Sequence, residues 1–190
     1  MKRPGGRSAR VGKAVLDAVI AEVAENGAAG LAVAAVAARS GVHATSIYRR
    51  WGSVARLGLE AALAVAEERV PVPDTGSLSG DLAVFLAALE AHVRTPLGGA
   101  LLVLSTAGDA DMAEARTTFW RERLGKARAI FTRAMARGEV AADTDPDEAL
   151  QFAIAPIYLR ALVLQAPADA AFLAQTVEIV GRAFAARGTA

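Results

Sequence analysis

Apolar residues recur every three to four positions through almost the whole chain, the spacing that lays side chains along one face of a helix. Val15, Val19, Ile20 and Val23 predict a first helix over about 10–25. Asn26-Gly27 then offers a left-handed stop. Val33, Val36 and Ala37 give a short second helix over 33–39, ended by Ser40-Gly41. A third starts at His43 or Ala44 and reaches Arg50, with Val42, Ile47 and Trp51 turned inward. Ser53 is placed to cap a fourth, whose inner stripe is Val54, Leu57, Ala61, Ala64 and Val65. Gly58 interrupts that stripe at a cost of about 1 kcal/mol against alanine.

Residues 70–77, VPVPDTGS, are the clearest break, because two prolines and a glycine cannot continue a helix. Beyond them the periodicity predicts helices at about 78–94, 97–107, 110–137, 146–165 and 168–187. Asp145 as N-cap, Pro146 in the first helical position and Glu148 behind them mark one start; Gly138 closes the helix before it. Alternating β-branched runs are absent, and alanine and leucine, which lose little entropy in a helix, abound. The chain reads as all-α with about nine helices: a three-helix head over 1–53, a connecting helix over 54–70 and a helical body over 71–190.

The last two helices carry more apolar surface than one face can hold. Leu150, Ile154, Ile157, Ala161 and Leu164 form one stripe of 146–165; Phe152, Leu159 and Val163 lie on another side. The final helix spreads Phe172, Val177, Ile179, Val180 and Phe184 over a wide arc. Such helices need cover on more than one face. A second copy of the chain is the simplest cover, giving a homodimer through a four-helix interface. A buried central hairpin in a monomer is the other reading. The dimer contacts expected are Phe152, Leu159, Val163, Phe172, Val177, Val180 and Phe184.

Charge changes the picture of the head. The whole chain carries +1, but residues 1–56 hold nine basic residues against three acids. That is +6, which leaves −5 for the rest. A basic head on an acidic body is the footprint of a polyanion partner. A helix of about seven residues, a tight turn through Gly41 and a second short helix is helix-turn-helix spacing. The second helix would present Thr45, Ser46, Tyr48 and Arg49 outward: hydroxyls for phosphates and base edges, and an arginine for guanine or phosphate. His43 and Ala44 stand at the N-terminus of that helix, where the dipole favours an anion.

The run GLAVAAVAARSGVHATSIYRRWGS, residues 30–53, resembles the DNA-binding signature of the TetR family of bacterial repressors. The matching features are Glu25-Asn26-Gly27 at the end of helix one, Ala37 four residues before Gly41, Val42, the pair Thr45-Ser46, and Ile47-Tyr48 ahead of Trp51. RTPLGGALL (94–102) and ARGEVAADTDPDEAL (136–150) resemble one common type of that family's ligand-binding domain. The resemblance implies a DNA-binding domain over 1–53 and an effector-binding and dimerisation domain over 71–190. With the basic residues nearby, the implied DNA contacts are Arg10, His43, Ala44, Thr45, Ser46, Tyr48, Arg49, Arg50, Ser53 and Arg56. At three positions where the family often carries a phosphate anchor, this chain has Ala32, Ala44 and Val54. The partners implied are a double-stranded operator, a second protomer and a small-molecule effector.

The family's mechanism would be a lever. An effector settles among helices near 78–137 and 146–165, shifts helix four, and spoils the spacing of two recognition helices across one DNA turn of roughly 34 Å. Pro156 removes a backbone bond to Phe152 and is expected to kink or loosen its helix beside the pocket. Candidate pocket residues are Leu89, His92, Leu101, Leu104, Met112, Phe119, Trp120, Ile154 and Tyr158, a mostly apolar set that favours a largely apolar ligand.

Other classes fit poorly. No cysteine is present, so disulfides, thiolate metal sites and a cysteine nucleophile are excluded. Neither HExxH nor GxSxG occurs, and two histidines leave little triad or metal chemistry; no enzyme, cofactor or metal site is expected. Gly6 to Lys13 imitates a phosphate loop, but five residues separate its glycines and Ala14 stands where Ser or Thr belongs. It reads instead as a flexible basic arm. No apolar run reaches the roughly 18 residues of a membrane span, and the basic N-terminus leads into an amphipathic helix, so a cytoplasmic protein is expected. The alternative function is a helical ligand-binding protein or adaptor without specific DNA binding.

Overall fold

The computed structural model describes residues 6–106 and 113–186. Its helices are α1 Gly6–Asn26, α2 Val33–Ser40, α3 Ala44–Trp51, α4 Val54–Arg69, α5 Leu78–Val93, α6 Pro96–Thr106, α7 Ala113–Ala127, α8 Ala129–Ala136, α9 Pro146–Leu159 and α10 Ala170–Phe184. The expected helix over 110–137 is thus two, α7 and α8. They meet at Arg128, whose backbone stays right-handed and still donates to Leu124 O at 2.9 Å. Counted as one, they make nine α-helices among the described residues, in line with the about nine of the sequence reading. Among the described residues the only β pairing is a single antiparallel bridge between Val140 and Ala185.

Two local expectations are corrected. The segment from Gly6 is helix, not a loose arm: past Gly6 no glycine pair or proline interrupts residues that favour helix, and Val15 and Val19 bury the face that anchors them. Pro156 lies inside its helix, which continues to Leu159. The irregularity comes one turn later, where Arg160–Leu164 widen into a π-turn and Gln165 turns left-handed at φ 49°. That turn rotates the residues after it, so Leu164, expected on the inner stripe, is exposed.

The backbone packs as two compact units, one of Met1–Val65 with Thr95–Phe119, the other of Ala66–Arg94 with Trp120–Ala190. In the first, α1 packs on α2 and α6, and α2 packs on α3. Val15, Val19, Val23, Val36, Ile47 and Leu57 are buried there. Arg39 ties α2 to α1, pairing with Glu22 at 2.7 Å and Glu25 at 2.5 Å; Asn26 also donates to Glu22 at 3.0 Å. The Arg39 hydrogen bond holds the Glu22 carboxyl below the usual range. Gly58 has its reason here. A Cβ at that position would come 3.2 Å from Leu31 Cδ2 and 3.4 Å from Leu104 Cδ1, so the packing of two leucines occupies the space.

The second unit is centred on α5, α8, α9 and α10, with Leu82, Phe85, Leu86, Ile130, Phe131, Leu150, Ile157 and Val180 inside. The predicted Asp145 cap is in place. Asp145 accepts from the backbone of Asp147 at 2.8 Å, and Ser77 and Asp169 cap α5 and α10. The connector is held by Asp81, which is fully buried and accepts from Thr75 N at 2.6 Å, with Arg133 and Arg137 beyond it. Glu139 accepts from Leu78 N at 2.6 Å, and that bond, helped by Arg137, keeps its carboxyl below its ordinary value.

Candidate nucleic-acid interface

The turn between α2 and α3 is built on a glycine. Gly41 adopts φ 68°, ψ 16°, and its N–H closes α2 on Ala37 O at 3.0 Å. His43 O then accepts from Ser46 N at 2.8 Å and Ile47 N at 3.2 Å, which starts α3. Ile47 and Trp51, one turn apart, are both buried. The Trp51 indole donates to Glu60 on α4 at 2.6 Å, fixing the rotation of α3 about its axis. What remains outward follows from that rotation. His43, Thr45, Tyr48 and Arg49 are exposed, Tyr48 by 53%; Ala44 and Ser46 are half-buried. Gly52, at φ 77°, ends α3, and Ser53 accepts from Arg56 N at 3.2 Å to begin α4.

An open groove of about 620 Å³ runs beside α3, lined by Ser8 and Val11 of α1 and by His43, Ser46, Arg49 and Trp51 among others. Arg49 and Arg56 are exposed, and Arg10 donates to Gly6 O at 3.2 Å. Arg50 is differently employed. Its guanidinium donates to Ser8 O at 3.1 Å, lies 4.8 Å over the Trp51 ring and covers Gly12, so it straps α3 to α1. Arg39, engaged by two carboxylates, belongs to the same internal framework.

The pocket candidates divide between the units. In the first, Leu101 and Phe119 are buried and Leu104 is half-buried; Met112 lies outside the described residues. In the second, Leu89 and Ile154 are buried, while His92, Trp120 and Tyr158 are half-buried. The Trp120 and Tyr158 rings meet edge to face at 5.5 Å. Burial, then the charges of Arg123 and Arg69, push the His92 imidazole below its ordinary pKa; burial pushes the Tyr158 hydroxyl up. Arg123 was not singled out from the sequence, yet it is buried and lies 5.5 Å from the Phe85 ring centre. Its spacing of three from Trp120 and four from Phe119 was the available signal.

Of the dimer candidates, Phe152, Leu159 and Val163 are 66%, 52% and 68% exposed. Phe172, Val177 and Phe184 are half-buried, and Val180 is covered by its own chain. Leu164 and Ile179 add to the exposed apolar surface. Among the described residues no helix is long and apolar enough to cross a membrane, and no cluster of metal-ligating side chains occurs.

Residues 72–180 match the family model described as "Tetracyclin repressor-like, C-terminal domain". The HTH-type transcriptional regulator AqdR of Rhodococcus erythropolis is 40% identical over 141 residues, covering 73% of this chain and 68% of that protein. The uncharacterized HTH-type transcriptional regulator YdeS of Bacillus subtilis (strain 168) is 28% identical over 165 residues, or 85% of this chain and 83% of that one. Among solved structures, the TetR family transcription regulator SCO0332 superposes with a TM-score of 0.80 at 31% identity, over 91% of this chain and 97% of that chain.

Proposed function

The chain belongs to the TetR family of helix-turn-helix transcription regulators, and from that premise we propose that it is a repressor that binds a palindromic operator as a dimer and is released by a small, largely apolar effector. The observation that carries the DNA half is the outward face of α3. Thr45, Tyr48 and Arg49 stand exposed on a helix whose rotation is fixed by Ile47, Trp51 and Glu60. In this reading Thr45, Ser46 and Tyr48, with His43 and Ala44 at the helix start, meet the major groove. Arg49, Arg56, Arg10 and the Ser53 cap engage phosphates. Arg50 contributes indirectly, by holding α3 against α1.

The exposed stripe of Phe152, Leu159 and Val163 supports a dimer, since apolar side chains left this open are normally covered by a partner. The effector reading rests on Leu89, His92, Trp120, Ile154 and Tyr158 in the second unit. α4 begins at the Ser53 cap beside the recognition helix and ends within the second unit, so ligand-dependent preferences are passed along its backbone.

The test is binding of the purified protein to DNA fragments flanking its own gene, at moderate salt, against excess unrelated duplex. A competitor-resistant complex with two protomers per palindromic site is the expected result. Binding that disappears equally into competitor would overturn the operator reading and leave the helical ligand-binding protein in its place.

A further inference from the structure

We propose that the second unit binds an organic acid, a molecule with an apolar body and a carboxylate that Arg123 and Tyr158 receive together. The inference rests on the effector reading above and names the chemistry of that effector. Arg123 is only 5% exposed. Among the described residues no carboxylate pairs with it and no hydrogen bond holds its guanidinium. Among the described residues the carboxylate whose charge reaches it is Glu67, and Glu67 is already bonded to Lys126. The Phe85 ring, 5.5 Å away, offers a face to the cation. A ring face offsets only a fraction of what a guanidinium loses when water is taken from it. The guanidinium does not escape by losing its proton.

The surroundings sharpen the point. The Tyr158 hydroxyl feels the Arg123 charge and likewise has no hydrogen-bond partner among the described residues. His92, on the same stripe of α5 as Phe85 and Leu89, also lies within reach of that charge, and its basicity is lowered by burial and by the cation. Trp120, one turn before Arg123 on α7, meets the Tyr158 ring edge to face, and among the described residues neither the Arg123 guanidinium nor the Tyr158 hydroxyl has an acceptor. A buried cation with an unused hydroxyl next to it matches the two oxygens of a carboxylate, which accept paired donors in one plane. Leu89, Ile154 and the aromatic rings supply the apolar cover for the rest of the molecule.

The experiment follows thermal unfolding of the full chain with millimolar benzoate, 4-phenylbutyrate or octanoate, each beside its primary amide. It compares the wild type with Arg123→Met and Tyr158→Phe. At least one acid is expected to raise the wild-type midpoint by about 5 °C or more at saturation while its amide does not. Arg123→Met should lose that response, and Tyr158→Phe should need several-fold more acid. Without any acid, Arg123→Met should melt at or above the wild type, because an unpaired buried cation has been replaced by an apolar chain. A variant melting well below the wild type would make Arg123 a structural cation and overturn the proposal. So would acids and amides that behave alike. No DNA enters these measurements, so a failure of the operator reading shows only in duplex binding and is told apart from a failure here.

Discussion

Gly41 holds a left-handed backbone with open space where a Cβ would go, so an alanine there meets strain and no clash. Gly41→Ala is therefore expected to cost about 1 kcal/mol in urea unfolding, with an unchanged dependence on denaturant. His92 yields a second prediction at this scale. Its folded pKa lies below the ordinary value because burial, then Arg123 and Arg69, disfavour the imidazolium. The unfolded chain thus takes up a proton at higher pH than the folded one. Its contribution is in full present above the unfolded pKa and is lost as pH falls through that value toward the folded one. The unfolding midpoint should decline from pH 7 toward 5.5, and His92→Asn should flatten part of that decline; equal slopes would refute the assignment. Thr45, Tyr48 and Arg49 were legible in the sequence because the apolar pair Ile47 and Trp51 fixes, by periodicity alone, what must face outward. Arg50 was not separable from Arg49. Their difference lies in Ser8, 42 residues away, and no local pattern encodes it.

At the scale of elements, α3 is too short to be stable alone, and its place depends on what it packs against. That predicts two outcomes for neighbouring arginines. Arg49→Ala should weaken binding to all duplex sequences alike and lower the salt slope by about 1, because a phosphate contact is lost. Arg50→Ala should lower the unfolding midpoint as well, since it cuts the strap from α3 to α1. Titration of duplex binding over a salt series, beside thermal unfolding, separates them. Helix starts and stops were readable wherever a cap made them. Ser53, Asp145, Gly41 and Gly138 all act within a few residues of themselves. The early start of α1, the join at Arg128 and the π-turn at Arg160–Leu164 were not. Each reflects packing that outweighs a weak local preference.

At the scale of the whole molecule, the apolar stripe on α9 and the turn after it predicts an obligate pair. Val163→Glu or Phe152→Glu should shift the protein toward monomer in sedimentation and weaken operator binding through loss of the second half-site. A dimer that survives both charges would place the interface elsewhere. The sequence by itself determined the all-α fold, the helix-turn-helix, the basic head and the apolar excess of the last two helices. All of these depend on spacing and local chemistry, which a linear pattern carries. Tertiary structure alone decided which apolar residues were spent inside, as with Val180 against Val163, and why Gly58 has no side chain. Among the described residues, it alone left Arg123 buried with no carboxylate paired to it. Those outcomes turn on which distant side chains meet, and on what each one finds when water has been excluded.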